Sequence, residues 1–373
     1  MKNSFYNEIQ KYPWESVTHS IYSKTAKDVE YALNNPNPGL EDFKALISPA
    51  AIPYLEQMMI QSQQITQKRF GKTIQMYIPM YISNYCNNTC VYCGFNHKNH
   101  IERTLLSLDE ILKEAQEIKR EGFEHILLVT GEDNKHCNSD YINNIMKALQ
   151  KIFALISIEI QPLETNEYKK LITSGLNTVY IYQETYHEGN YETYHPSGKK
   201  KNYRYRLETP DRLGEAGVHK IGLGCLLGLE DWRTDSFFTA LHLNYLEKHY
   251  WQTKYSISFP RLRPHAGAFQ PNYNTTQKEL LQLICAYRIF NEQVEISLST
   301  REDPSYRDNM LKLGVTSFSA GSKTNPGAYS QEKDSLEQFS VNDNRNPQEI
   351  AEVIKTNGYE VVWKDWDYYM QNN

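Results

Sequence analysis

Three cysteines lie within eight residues of the chain, in the segment Asn84-Tyr85-Cys86-Asn87-Asn88-Thr89-Cys90-Val91-Tyr92-Cys93. Their spacing, C-x3-C-x2-C, lets three thiolates surround one compact metal site, and soft thiolates select zinc or an iron–sulfur cluster. A cubane cluster that is held by four cysteines is coordinatively closed. Three cysteines leave one iron open, and an amino acid that chelates through its amine and carboxylate would fill that position.

A structural zinc site is the alternative interpretation of the same segment. His97 follows Cys93 by four residues and would complete a Cys3His ligand set. Structural zinc usually staples a small module, whereas this chain has 373 residues. The remaining cysteines are scattered, and in a reducing compartment they are expected to be small buried hydrophobes; they are Cys137, Cys225 and Cys285.

Strand-like runs and helical stretches alternate from residue 74 onward. Eight runs predict strands at residues 74–83, 125–130, 155–160, 178–182, 220–226, 255–259, 294–299 and 315–319, and residues 358–362 could add a short one. Eight β-then-α units predict the α/β class and a (β/α)8 TIM-type barrel, for which about 250 residues is typical. A doubly wound open sheet is the alternative, but the chain has no G-x-G-x-x-G fingerprint.

The predicted barrel would position the cysteine segment in the loop after its first strand. Residues 1–73 show helical spacing without a strand signal, so they predict an N-terminal helical extension; residues 74–373 would form the barrel with a short C-terminal tail. TIM barrels keep functional residues at the C-terminal ends of strands and in the following loops. Alternation in the first strand directs Met76, Ile78, Met80 and Ile82 toward the helices, and Tyr77 and Tyr81 toward the lumen.

Charge and hydropathy exclude several classes of protein. The 40 basic and 45 acidic side chains give a net charge of −5 without a basic field for nucleic acid. The N-terminus lacks the apolar stretch of a secretory signal, and no window approaches 18 consecutive apolar residues. The sequence therefore predicts a cytoplasmic protein that binds neither nucleic acid nor membrane. Lys199-Lys200-Lys201 is expected to be a solvated loop, and His187, His195 and His265 to be solvated or structural.

The motifs together resemble those of the radical SAM superfamily, whose signature is C-x3-C-x2-C with an aromatic residue before the last cysteine. Longer segments are similar to the 2-iminoacetate synthase family, the tyrosine lyases of thiazole biosynthesis for thiamine. These segments are residues 183–187, 206–212, 221–224, 258–264, 298–302 and 362–367. The resemblance implies a [4Fe-4S] cluster on Cys86, Cys90 and Cys93, with S-adenosyl-L-methionine as the second cofactor.

The resemblance also implies a reaction. A reduced cluster cleaves S-adenosylmethionine to methionine and a 5′-deoxyadenosyl radical, which takes hydrogen from the amino nitrogen of L-tyrosine. The Cα–Cβ bond then breaks to give 2-iminoacetate (dehydroglycine) and p-cresol. The implied partners are L-tyrosine, the thiazole synthase and a reductant such as flavodoxin or ferredoxin. The alternatives are a tryptophan lyase and the tyrosine lyase of hydrogenase maturation, which carries further cysteines in a C-terminal extension; here no cysteine follows Cys285.

Five residues are expected to bind S-adenosylmethionine by this resemblance. Tyr92 would lie against the adenine, with a plain packing role as the alternative. Gly131 and Glu132 stand where the superfamily often carries Gly-Gly-Glu, with Thr130 replacing the first glycine, and would contact the methionine amine. Glu184 would reach into the cavity from the end of the fourth strand. Arg206 resembles the partner of that carboxylate and of the cofactor, with a purely structural ion pair as the alternative.

Three residues are candidates for contact with the amino-acid substrate. Arg301 follows the seventh predicted strand, and its planar fork suits a carboxylate because it donates two parallel hydrogen bonds. A surface ion pair with Glu302 or Asp303 is the alternative for Arg301. Ser319, at the end of the eighth strand, is expected to hydrogen-bond the same carboxylate, and Tyr81 to relay a proton.

Overall fold

The computed structural model describes residues 4–265, 267, 269–330 and 337–364. Five helices precede the sheet: α1 Phe5–Ile9, α2 Trp14–Tyr22, α3 Ala26–Asn34, α4 Leu40–Ile47 and α5 Leu55–Phe70, with a 3-10 helix at Pro49–Tyr54. The later helices are α6 Leu108–Arg120, α7 Ser139–Leu149, α8 Thr165–Ile172, α9 Glu188–Tyr194, α10 Tyr203–Leu207, α11 Thr209–Ala216, α12 Trp232–His249, α13 Gln277–Phe290, α14 Pro304–Met310 and α15 Pro347–Thr356, with a 3-10 helix at Lys199–Lys201.

The described strands form one parallel, curled sheet. They are β1 Thr73–Tyr77, β2 Pro79–Ser83, β3 His125–Thr130, β4 Leu155–Glu159, β5 Leu176–Tyr180, β6 Lys220–Gly224, β7 Lys254–Ser258, β8 Glu295–Leu298, β9 Ser317–Ser319 and β10 Glu360–Val362. Their order in the sheet is β10-β1-β9-β8-β7-β6-β5-β4-β3-β2. The predicted TIM-type α/β architecture is confirmed, and the suggested short strand near residue 360 is present as β10.

The first predicted strand joins the two ends of this sheet. It is divided at Ile78 into β1, which pairs with β9 and β10, and β2, which pairs with β3. The chain therefore passes directly from β1, near one edge of the sheet, to β2 at the opposite edge. This connection brings the two edges together and curves the sheet around a central lumen. The carboxyl ends of all the strands open on the same side, where a parallel barrel carries its site.

Local sequence signals set the helix boundaries. Ser107 begins α6 through a capping box with Glu110, and Thr276 begins α13 through the same motif with Glu279. Gly217 ends α11 in the left-handed region at φ 82°, a conformation that favours glycine. Helix α9 was not predicted, because its sequence Glu-Gly-Asn-Tyr-Glu-Thr-Tyr has no helical apolar period.

The side chains of the first strand divide between two environments, as predicted. Met76, Ile78, Met80 and Ile82 are buried in the large core between sheet and helices. Tyr81 belongs to a separate lumen cluster with Phe95, Leu127 and Val129, and Tyr77 packs against it. The alternation therefore separates the structural core from the surface that faces the lumen.

The N-terminal helices pack onto the outer helices of the barrel. Helices α4 and α5 contact α13, and α2 contacts α12. Phe5, Phe43 and Met58 are buried in the same apolar core as the strands. The division into an extension up to residue 73 and a barrel with a short tail from residue 74 stays a prediction, and residues 365–373 of that second region lie outside the described residues. None of the described helices has both the length and the apolar character to cross a bilayer.

Candidate active site

The eleven predicted site residues line one cavity at the carboxyl ends of the strands. The cavity encloses about 1500 Å³ including its open mouth. The residues are Tyr81, Cys86, Cys90, Tyr92, Cys93, Gly131, Glu132, Glu184, Arg206, Arg301 and Ser319. Segments more than 200 residues apart in the sequence therefore meet around one space, as the barrel rule requires.

Neighbouring loops hold the cysteine segment in place. The Asn87 amide donates to the Glu132 carbonyl at 3.0 Å, and the Val91 amide donates to the Tyr194 carbonyl at 3.1 Å. A Cβ on Gly131 would lie 2.3 Å from the Tyr85 carbonyl oxygen. Glycine at position 131 therefore lets the end of β3 lie directly against the backbone that carries Cys86.

The donor set of this loop fits an iron–sulfur cluster with one open iron. Burial raises the pKa of the Cys86 thiol to about 11 and also raises the pKa of Cys90 and Cys93, while Lys200 opposes the shift at the latter two. A bound metal replaces those protons. His97 does not join the thiols, because it is exposed and its Nδ1 lies 3.1 Å from the Cys86 carbonyl oxygen. Within the described ranges, no three His, Cys, Asp or Glu side chains converge on a single metal ion.

Two ion pairs lie beside the cysteine loop. Arg206 donates from Nη1 to Glu132 Oε1 at 2.7 Å, and Lys200 Nζ lies 2.7 Å from Glu184 Oε1. The second guanidinium nitrogen of Arg206 lies 3.7 Å from Glu184, so it connects the two pairs. Burial alone would raise the pKa of Glu132, but Arg206 and Lys200 outweigh that effect and hold it below its usual value. The pKa values of Arg206 and Lys200 are in turn raised by Glu132 and Glu184 against the effect of burial, so Glu132, Arg206 and Lys200 are charged.

Glu184 adopts a rare backbone conformation. Its φ is 72°, and it is the one described residue other than glycine with a positive φ. The Glu184 carbonyl accepts from the Leu226 amide at 2.8 Å, which fixes the peptide after β5 against the segment after β6. Such strain persists only where surrounding contacts impose it, and it concentrates at functional sites.

A buried histidine fixes the orientation of the Tyr92 ring. His195 Nδ1 lies 2.9 Å from the Tyr191 carbonyl, which can only accept, so this nitrogen carries the proton. His195 Nε2 therefore accepts from the Tyr92 hydroxyl at 2.7 Å. Burial holds the pKa of His195 well below its usual value, and the ring stays neutral. The prediction that His195 is structural rather than a metal ligand agrees with these contacts.

Arg301 points a partly buried guanidinium into the cavity. Its Cζ atom lies 3.3 Å from the centre of the Phe339 ring, so one face of the planar guanidinium is covered. Its sequence neighbours are already engaged: Glu302 pairs with Arg261, and Asp303 caps α14 by accepting from the Tyr306 amide. In the part of the chain that the structure describes, Arg301 has no carboxylate partner, which argues against the alternative of a surface ion pair.

Ser319 and Tyr81 face the cavity and are already hydrogen-bonded. Ser319 Oγ accepts from the Thr300 amide at 3.0 Å, and its hydroxyl also hydrogen-bonds the Tyr77 side chain. The Tyr81 hydroxyl donates to Gln338 Oε1 at 2.7 Å. Burial raises the pKa of Tyr81 well above its usual value, so its hydroxyl keeps its proton.

The lining residues that sequence reasoning missed include Glu159, Lys200 and Gln338. Lys200 was expected in a solvated loop, and that expectation is wrong: its side chain is 11% exposed and pairs with Glu184. Glu159 ends β4, and burial, reinforced by Glu184, raises its pKa to about 7. The alternation of β4 signals Glu159, because Ile156 and Ile158 face the outer core. Gln338 carries no sequence signal, since it lies outside every predicted strand and helix.

Fold, cysteine loop and cavity together define a radical SAM enzyme. Residues 80–239 match the Radical SAM superfamily, and residues 258–360 match the Biotin and Thiamin Synthesis associated domain. The chain is 46% identical over 368 residues to the 2-iminoacetate synthase of Escherichia coli (strain K12), covering 98% of both chains. It is 45% identical to that of Salmonella typhimurium, again over 98% of both. The chain belongs to the 2-iminoacetate synthase family.

Solved structures show the same architecture. A crystal structure of HydG, a maturase of the [FeFe]-hydrogenase, superposes with a TM-score of 0.90 at 31% identity, covering 96% of this chain and 81% of that one. Methylornithine synthase (PylB) superposes with a TM-score of 0.74 at 18% identity, which shows a shared fold alone.

Proposed function

We propose that this protein cleaves the Cα–Cβ bond of L-tyrosine to 2-iminoacetate and p-cresol and so supplies the thiazole of thiamine. Family membership over the full chain supports the reaction. The observation that carries the proposal is one cavity that joins three cysteine thiols to a guanidinium without a described anionic partner. Thiols suit a cluster, and the free guanidinium suits the carboxylate of an amino acid.

The cysteine end of the cavity would hold the cofactors. Cys86, Cys90 and Cys93 would ligate the [4Fe-4S] cluster and leave one iron for S-adenosylmethionine, which together supply a 5′-deoxyadenosyl radical when bound. Tyr92, held by His195, offers a fixed ring face to an adenine. Glu132 retains acceptor capacity beyond its bonds to Arg206 and Asn88, so it can accept from an ammonium, and Gly131 keeps the backbone close to the loop.

The opposite wall would hold L-tyrosine. Arg301 would bind the substrate carboxylate through its planar guanidinium, and Ser319 would donate its hydroxyl hydrogen to the same group in exchange for its bond to Tyr77. The Tyr81 hydroxyl is protonated and donates a hydrogen bond to Gln338. It can therefore relay a proton to the substrate only if that hydrogen bond is first exchanged for one to the substrate. Orientation matters because a displacement of about 1 Å strongly slows a positioned reaction.

Anaerobic turnover tests the proposal. Reconstituted protein with L-tyrosine, S-adenosylmethionine and a one-electron reductant should form p-cresol and glyoxylate, the hydrolysis product of the imine, in equal amounts. Iron analysis should give four irons per chain, as the [4Fe-4S] formula requires. Cleavage of L-tryptophan in preference to L-tyrosine, or stoichiometric cyanide, would contradict the assignment in favour of a related lyase.

The partners and location also stay proposals. A flavodoxin- or ferredoxin-type reductant would supply the electron, and the thiazole synthase would take the unstable imine, both in the cytoplasm. Two measurements would test the transfer. The thiazole synthase should co-purify with this protein. The yield of thiazole should be higher when the two proteins share one solution than when a dialysis membrane separates them.

A further inference from the structure

A segment late in the chain lies against the cysteine loop. The Gln338 amide donates to the Thr324 carbonyl at 3.0 Å, and the Gly94 amide donates to the Gln338 carbonyl at 3.1 Å. A Cβ on Gly94 would lie 2.7 Å from that same carbonyl oxygen. Backbone contacts therefore hold residue 338 against Gly94, the residue that follows Cys93. These contacts do not depend on the side chain at position 338.

The Gln338 side chain connects a cysteine to a lumen tyrosine. Its Nε2 lies 3.7 Å from Cys93 Sγ, and its Oε1 accepts from the Tyr81 hydroxyl at 2.7 Å. The amide orientation follows from chemistry, because a thiolate that ligates iron can only accept. The nitrogen must face Cys93, and the oxygen is then left to accept from Tyr81.

We propose that Gln338 is a positioning residue that donates its amide N–H to the Cys93 sulfur and so stabilises the reduced cluster. The inference rests on the proposed function, in which Cys93 ligates the cluster. Reduction adds one electron, and part of its charge resides on the thiolate sulfurs. A fixed N–H donor stabilises the more negative state more strongly and raises the reduction potential. The bond from Tyr81 polarises the amide and orients it toward the sulfur.

Three variants separate this role from a packing role. Gln338→Leu keeps the volume and removes both bonds. Gln338→Glu keeps an acceptor for Tyr81 but loses the donor to Cys93. Tyr81→Phe removes the hydroxyl and leaves the amide donor in place. The midpoint potential of the cluster is measured for each by redox titration with electron paramagnetic resonance, after iron content and the visible spectrum establish cluster loading.

Loss of the donor should disfavour reduction about tenfold, which is 59 mV for a one-electron couple. We expect this negative shift in Gln338→Leu and at least as much in Gln338→Glu, and a smaller shift of the same sign in Tyr81→Phe, which weakens the donor without removing it. If Gln338→Leu fails to load a cluster, Gln338→Met, which also lacks the donor and adds no charge, takes its place. A parent-like potential in a loaded Gln338 variant, or an equal shift in Tyr81→Phe, would overturn the inference. A parent protein without a reducible cluster would instead contradict the proposed function.

Discussion

Charged groups are arranged differently in two regions of the cavity. Beside the cysteine loop, Glu132 pairs with Arg206 and Glu184 pairs with Lys200. At the ends of β4 and β8, Glu159 and Arg301 both line the cavity, and neither has an ion-pair partner among the residues that the structure describes. The first region is electrostatically complete without a ligand, whereas the second leaves one carboxylate and one guanidinium exposed to the lumen.

The difference shows which region is preorganised and which depends on its ligand. Paired charges hold one another in position, so the geometry beside the cysteines exists before anything binds. Glu159 and Arg301 attract each other without forming an ion pair, and burial still raises the pKa of Glu159 and lowers that of Arg301, so each charged form would gain from an opposite charge on a ligand. A zwitterionic amino acid carries one charge of each sign, and it would relieve both costs in the second region.

The largest expected effect comes from removing the group that the paired region surrounds. Cys90→Ala should abolish formation of 5′-deoxyadenosine, because two thiolates cannot hold the cubane. Cys285→Ala is the control, since that thiol is buried in the outer core away from the cavity. Iron content and 5′-deoxyadenosine are measured. Cofactor cleavage by the Cys90 variant would show that the loop does not bind the cluster.

Arg206→Met breaks the paired region by leaving two carboxylates without their shared partner. Removing one member of a buried pair costs about 3–5 kcal/mol, so the free energy of unfolding and the affinity for S-adenosylmethionine should both fall. Arg204→Met, which loses an exposed pair with Glu208, should cost about 0–1 kcal/mol. Equal losses in the two variants, measured by denaturant unfolding, would remove the contrast between the regions.

Glu159→Gln tests the unpaired region through pH. Burial raises the pKa of Glu159 from 4.5 to about 7, so the folded chain binds this proton more tightly than the unfolded chain. Stability is therefore lost as pH rises from 4.5 and levels off above 7. Gln should restore up to about 3 kcal/mol at pH 8 and almost nothing near pH 4.5.

The control for Glu159 is Glu117→Gln, which changes an exposed pair with Arg120. It should alter stability by less than about 1 kcal/mol. Thermal unfolding of the substrate-free, cluster-loaded proteins from pH 5 to pH 8 makes the comparison. A pH-independent difference between Glu159→Gln and the parent protein would refute the raised pKa.

Arg301→Lys is the mildest change, because it keeps the charge and removes the fork. We expect p-cresol formation to fall at least tenfold, about 1.4 kcal/mol, with normal iron content and retained 5′-deoxyadenosine formation. Arg69→Lys, at the exposed end of α5, is the control. Parent-like turnover and tyrosine affinity in the Arg301 variant would exclude Arg301 from the substrate site.

Sequence alone predicted those parts of the site that depend on local spacing. The cysteine loop and Arg301 follow strand ends, so strand prediction and the barrel rule together located them. The prediction for Lys200 was wrong because a run of three lysines is typical of a solvent-exposed loop. In the structure the Lys200 amide donates to the Asn88 side chain at 3.0 Å, and the Lys200 ammonium points into the cavity. Gln338 depends on a contact between distant segments, which no local pattern reports.

The division of the first strand at Ile78 has a consequence for the order of folding. Its second half, β2, pairs with β3, which follows soon after in the chain, whereas its first half, β1, pairs with β9 and β10 after most of the chain. A contact between segments that are distant in the sequence costs more loop-closure entropy, so it forms late. During synthesis, we therefore expect β2 and β3 to assemble the base of the cysteine loop early, and the seam at β1 to close only when the last strands have emerged.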